Sequence, residues 1–264
     1  MTQHTVPPTV AEPASALVLD ARDVAIHFGG VKAVDGVTME IAEGKIFGLL
    51  GPNGSGKSTI LAGITRLVPL KSGSLTFDGR PYDDVPTFKL ARWGMARTFQ
   101  TVRLLGDLTV EQNILLGADV GRSSGVSRRA AATERKECVA DVIDRTGLAK
   151  FVKWTPSELS YGVQRRVEIA RAIVMQPRLL LLDEPVAGMT KSEKLEIAAL
   201  LSDLRAQGLT QLLVEHDVQM MVDTCDHLYA MNFGKLIGEG VPADVVKTPA
   251  VQEAYMGKGW RADA

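Results

Sequence analysis

Cysteine is almost missing from this 264-residue sequence, with Cys138 and Cys225 as its only two. They lie far apart and outside any metal-ligand spacing, which excludes a cysteine-held metal and leaves passive thiols compatible with a reducing cytoplasm. A charge excess is missing too, since 30 Lys+Arg face 31 Asp+Glu for a net charge of -1. A chain that coats nucleic acid needs a basic surplus to neutralise phosphates, so no nucleic-acid partner is expected. No apolar run approaches the roughly 18 residues that span a bilayer. The densest, Leu179 to Leu182, suits a buried parallel strand. Met1 to Ala16 hold Pro7, Pro8 and Pro13 without a basic start or an apolar stretch. They read as a disordered tail over residues 1–16, not a signal peptide. What is present is ordinary: 45% hydrophobic and 23% charged residues, enough for one large α/β domain or two small ones.

Periodicity organises the chain. Val18 to Phe28 and Val31 to Ile41 read as strands of an edge sheet joined at Gly29-Gly30. Lys45 to Leu50 is an apolar strand that enters a glycine-rich turn, and Ser58 to Leu67 then has helical character. Ser74 to Phe77 is a further strand, closed by Asp78-Gly79. From Lys89 to Leu159 the texture becomes mainly helical, with helices at Glu111 to Leu116 and Arg128 to Arg145 and loops at Gly121 and Gly125. Val139, Val142 and Ile143 recur there at helical spacing. Val163, Val167, Ala170 and Val174 form one apolar helix face opening near Ser160. Strand Leu179–Leu182, helix Ser192 to Arg205, strand Gln211 to Val214 and short strands near Leu228 and Leu236 follow. This alternation predicts a parallel sheet covered on both faces.

Gly51-Pro52-Asn53-Gly54-Ser55-Gly56-Lys57-Ser58 matches G-x-x-x-x-G-K-[ST]. A triphosphate needs many donors at close range, and glycines let backbone N–H groups curl around it without a Cβ in the way. The next helix points its partly positive N-terminus at the phosphates. Lys57 can reach the β and γ oxygens, and the Ser58 hydroxyl can ligate Mg²⁺. The four fixed positions coincide by chance in roughly 1 in 100 chains of this size. The strand before and the helix after lower that further.

Leu179 to Glu184 is a buried strand that ends in two carboxylates, at the edge where α/β sheets bind ligands. Asp183 can hold Mg²⁺ through water, and Glu184 can accept a proton from attacking water. Alone, such a pair is an ordinary loop start; after a phosphate loop it reads as chemistry. Ser160, in Leu159-Ser160-Tyr161-Gly162, is a good N-cap, and a helix N-terminus with a hydroxyl and a glycine is also a second anion site. One ATP does not need two such sites from one chain, which points to a site shared across a dimer. Gln100 and His216 are unremarkable singly and gain meaning from their order along the chain.

That order, phosphate loop, Gln100, Leu-Ser-Tyr-Gly, Asp183-Glu184 and His216, resembles the ATP-binding-cassette ATPases from Leu17 to Trp260. The resemblance implies a P-loop NTPase with a RecA-like core, an antiparallel β subdomain and an inserted helical subdomain. The implied bounds are 17–88 and 166–240 for core and β subdomain, 89–165 for the helical insert and 241–260 for a C-terminal helical segment. It implies ATP and Mg²⁺ as cofactors. ATP would meet Phe28 at the adenine, Gly51 through Thr59 at the phosphates, and Ser160 and Gly162 of the opposite subunit. Glu184 would be the general base, with His216, Gln100 and Lys57 completing the catalytic set and Ser58, Gln100 and Asp183 the Mg²⁺ set. Implied partners are a second ATP-binding subunit, identical or different, transmembrane permease subunits and, indirectly, a substrate-binding protein outside the membrane. The chain would sit on the cytoplasmic face, held by the permease.

Gly94 to Leu104, Leu159 to Ala170 and the ending Glu253 to Gly257 look like the branched-chain amino acid importer subgroup. A lipid or lipopolysaccharide export ATPase is the runner-up. A GTPase would be expected to show Asn-Lys-x-Asp, which is absent, and a translation or repair ATPase two cassettes or a coiled coil. Val163 stands where the family usually has Gln or Glu, and Thr190 where it has Asp or Asn, so a polar contact and cross-subunit hydrogen bonds are expected to weaken there.

Overall fold

The computed structural model describes residues 16–120 and 128–256. The proposed tail before Ala16, the loops at Gly121 and Gly125, and the chain end from Gly257 lie outside the described residues. In order, the elements are β1 (Leu17–Phe28), β2 (Val31–Ala42), β3 (Ile46–Leu50), α1 (Lys57–Ile64), β4 (Ser72–Phe77), β5 (Arg80–Pro81), α2 (Thr87–Trp93), β6 (Met95–Arg97), α3 (Val110–Val120) and α4 (Arg128–Arg145). Next come α5 (Tyr161–Ile173), β7 (Leu179–Asp183), α6 (Lys191–Ala206), β8 (Thr210–Glu215), α7 (Val218–Thr224), β9 (His227–Asn232), β10 (Lys235–Gly240), α8 (Pro242–Val245) and α9 (Pro249–Met256).

Two sheets result. An antiparallel sheet runs β2-β1-β4-β5, and a larger one runs β10-β9-β3-β8-β7-β6. All neighbours in the larger sheet are parallel except β9 and β10. Side chains alternate along a strand, so a strand buried on both faces serves two cores. Leu180, Leu182 and Leu213 join a core with α3, α4, α5 and α6. Leu179, Leu181, Leu212 and Val214 face the other way, against α1 and the antiparallel sheet.

Two elements differ from the sequence expectation. Met95–Arg97, inside the stretch read as helical, is the edge strand of the core sheet, paired with Leu179 to Leu181. Three residues are too few to show a period-two pattern. α1 also ends at Ile64, earlier than Leu67, because Arg66 adopts a positive φ of 57°.

Candidate functional site

Strand alternation decides where each acidic side chain goes. Leu179 and Leu181 pack toward α1, so Asp183 emerges on that same face, and its Oδ1 accepts the Ser58 hydroxyl at 3.3 Å. Glu215 follows Leu213 on the opposite face, fully buried, where it accepts the N–H groups of Val186 at 3.0 Å and His216 at 3.3 Å. Burial raises its carboxyl above the ordinary pKa, opposed by those N–H groups and the His216 ring. Glu184 leaves the strand pattern with a positive φ of 46°, a sparsely populated backbone that concentrates at functional sites. Its Oε2 accepts the Gln100 side-chain amide at 3.0 Å and lies 3.8 Å from His216 Nδ1.

The phosphate loop is held from two sides. A Cβ on Gly51 would lie 2.4 Å from the Met231 carbonyl, and one on Gly56, whose φ is +106°, 2.3 Å from that of Ala33. Only glycine fits at either position. The Phe233-Gly234 turn between β9 and β10 clamps the loop, with Gly234 N–H donating to the Ser55 carbonyl at 2.9 Å. Lys57 is buried, and its ammonium donates to the carbonyls of Gly51 at 2.8 Å and Pro52 at 3.1 Å. Burial lowers its pKa, opposed by Glu184, Asp183 and Glu215. The Ser55 hydroxyl is buried without a hydrogen-bond partner. An orphaned donor and a glycine cradle at a helix start fit a phosphate.

Asn53, Gly54, Gly56, Lys57, Ser58, Thr59, Gln100, Glu184 and His216 border one cleft of about 520 Å³, together with Val31, Lys32, Ala33, Phe233 and Gly234. Phe28, expected against adenine, is not among the residues that line it; Phe28 pairs with Val31 across the Gly29-Gly30 turn, and Val31, Lys32 and Ala33 at the start of β2 border the cleft. Of the expected Mg²⁺ ligands, Ser58 and Asp183 meet, while the Gln100 amide is turned to Glu184. A hydroxyl and a carboxylate are the hard oxygen donors that Mg²⁺ takes.

Ser160 and Gly162 do not line this cleft. Ser160 is the N-cap of α5, accepting the Val163 N–H at 3.4 Å, and the Gly162 N–H donates to the Glu193 carboxylate. Both departures have local work. Val163 is buried in the helical core, and Thr190 caps α6, exchanging hydrogen bonds with Glu193.

The sequence reading missed Arg97. Its Nη2 donates to Asp183 Oδ2 at 2.9 Å and its Nη1 to Thr65 Oγ1 at 2.9 Å, both carboxylate and guanidinium being nearly sealed from solvent. Nothing in a three-residue edge strand marked this arginine, and its partner lies 86 positions away. Because Arg97 fixes which Asp183 oxygen faces Ser58, Arg97→Met should raise the Mg²⁺ concentration for half-maximal ATP hydrolysis about 10- to 100-fold. Measuring turnover against Mg²⁺ at constant ATP checks this, and an unmoved Mg²⁺ midpoint counts against the role.

Residues 34–187 match the family model described as ABC transporter. The chain is 33% identical over 250 residues to the high-affinity branched-chain amino acid transport ATP-binding protein BraF of Pseudomonas aeruginosa, covering 91% of this chain and 98% of that one. It is 36% identical over 250 residues to the corresponding LivG protein of Salmonella typhimurium, with the same coverage. The lipopolysaccharide export system ATP-binding protein LptB of Haemophilus influenzae is 30% identical over 244 residues, covering 92% and 99%. A crystal structure of a nucleotide-free ATP-binding cassette from an ABC transporter superposes with a TM-score of 0.79 at 30% identity, covering 92% of this chain and all of that one. Membership implies ATP and Mg²⁺ binding within a multi-subunit complex. On its motifs, its fold and these matches together, the chain belongs to the ABC transporter family, as an ATP-binding and ATP-hydrolysing subunit.

Proposed function

We propose that this chain hydrolyses ATP at a pocket shared by two ATP-binding subunits and powers import of small solutes, branched-chain amino acids and related amino acids or amides foremost, from the cytoplasmic face of a membrane. One observation carries the shared pocket. Glu184, His216 and the phosphate loop border the chain's own cleft, whereas the Ser160 and Gly162 end of α5, a helix N-terminus of a kind that suits an anion, does not line it. A second subunit, identical or related, supplies the missing half to each.

Lys57 and the loop N–H groups bind and orient the triphosphate, and Glu184 accepts the proton of the attacking water. Ser58 and Asp183 would hold Mg²⁺, which when bound neutralises charge on the phosphate oxygens. His216, beside Glu184, reads the γ-phosphate, and Phe28 is the candidate for the adenine edge. Loss of that phosphate removes the charge joining the two halves. A groove of about 430 Å³ lined by Ala91, Leu105, Leu116, Arg171 and Met175 suits a cytoplasmic helix of the permease, and exposed Leu105 and Leu116 offer it an apolar seat. Solute choice rests with the permease and a binding protein outside, neither of which this chain contains.

The amino-acid reading rests on similarity to the branched-chain importer subunits. Its test is reconstitution of the chain with its membrane complex in vesicles. Uptake of labelled leucine that needs ATP on the chain's side is the expected result. Extraction of lipopolysaccharide with no leucine uptake would instead place the chain with the exporters.

A further inference from the structure

Arg165 heads the largest fully buried side chains among the described residues. Its side chain is 0% exposed, and that of Glu168, one helical turn on, 2%. A guanidinium out of water must fill its donors or bear a large desolvation penalty, and here the two terminal nitrogens are filled while Nε and Glu168 Oε1 have no hydrogen-bond partner. Arg165 Nη1 donates to the Phe99 carbonyl and to Glu168, each at 2.6 Å. Nη2 donates to the Gln100 carbonyl at 2.6 Å and to the Tyr161 hydroxyl at 3.1 Å. Burial raises the pKa of Glu168 against the pull of Arg165 and Arg171. Helix α5 thus grips the loop at residues 99 and 100. The gripped loop carries the Gln100 amide that touches Glu184, and the gripping helix carries Ser160 and Gly162 at its N-terminus.

We infer that Arg165 is a positioning residue that makes the Ser160 end of α5 and the Gln100 loop one mechanical unit. Phosphate capture by that helix in the partner's pocket then sets Gln100 against Glu184 in the chain's own pocket. The two ATP sites communicate through a guanidinium that touches neither nucleotide. This rests on the shared-pocket reading above. Geometry explains the choice of arginine, because a planar fork fixes two carbonyls at once, whereas an ammonium is a single point charge.

Two full-length variants test it. Arg165→Lys keeps the charge and loses the fork. The double variant R165M/E168M removes both charges at similar volume, a replacement of a buried ion pair that proteins often tolerate. Each is measured for the ATP dependence of hydrolysis, for binding of a fluorescent ATP analogue to dilute single copies, and for its unfolding midpoint. Wild-type protein should give a Hill coefficient approaching the limit of two set by two sites. Both variants should fall toward one, with turnover down about 5- to 150-fold and single-copy nucleotide affinity unchanged. Folded variants as cooperative as wild type overturn the inference while leaving the shared pocket standing, as does a lower unfolding midpoint with an unmoved Hill coefficient. If the double variant does not fold, Arg165→Lys decides alone. A wild-type Hill coefficient of one, with turnover indifferent to protein concentration, overturns the shared pocket and this inference with it.

Discussion

Replacing Glu184 with glutamine should leave ATP binding intact and lower turnover by about 10²- to 10⁴-fold, the usual contribution of a positioned general base. Glutamine has the same shape and still offers an oxygen to the Gln100 amide, which now sits 3.0 Å from Glu184 Oε2. It cannot accept a proton from water. Nucleotide therefore enters, the halves close, and the step that would part them does not occur. ATP should convert the variant to a stable dimer, visible as a doubled mass in sedimentation, whereas ADP should not. Hydrolysis at the wild-type rate would remove Glu184 from the role of base. The backbone favours that role, since a glutamate held at φ 46° is strained, and the strain directs its carboxylate out of β7 into the cleft.

Gly162→Asp is expected to be nearly as severe, by a different route. A Cβ at Gly162 would lie 2.8 Å from Glu193 Oε1, so the new carboxylate enters a spot already occupied by an anionic side chain. It also cancels the partial positive charge of the α5 N-terminus just where a partner's γ-phosphate would dock. Turnover should fall about 10²- to 10³-fold, as when an oxyanion donor is removed. ATP should still bind the variant's own phosphate loop, since Gly162 does not line that cleft. Equilibrium binding together with sedimentation separates the two effects. Loss of binding, or full activity with normal dimerisation, would each contradict a pocket made from two chains. Mixing this variant with Glu184→Gln protein sharpens the test. Only in the mixed dimer does one pocket combine an intact Glu184 with an intact Gly162, so partial activity should return.

Much of the fold could be read from local pattern. The β7 run Leu179–Asp183, the valine face of α5 and the glycine-lysine loop each carry their signal within a few residues, and the structure places each as the pattern predicts. Helix α5 was only half legible. Its apolar face was plain, but Arg165 and Glu168 at i and i+3 look like any exposed charge pair, and only the packed subdomain shows them sealed. The aromatic surroundings of the cleft were legible only in part. Phe28 stands beside Val31 across the hairpin turn, where Val31, Lys32 and Ala33 line the cleft, and Phe233 arrives there from the β9–β10 hairpin some two hundred residues later.

The amino-acid order by itself determined the phosphate loop, the acidic strand end and the helix that begins at Ser160, because each needs only neighbours along the chain and the short-range rules of turns, caps and alternation. Tertiary structure alone decided that Arg97 orients Asp183 and that Arg165 holds the Gln100 loop. It likewise brought Phe233 to the edge of the cleft. A buried cation is placed by whichever carbonyls and carboxylates the fold brings around it, and residues 97 and 183, or 99 and 165, share no local pattern that foretells their meeting.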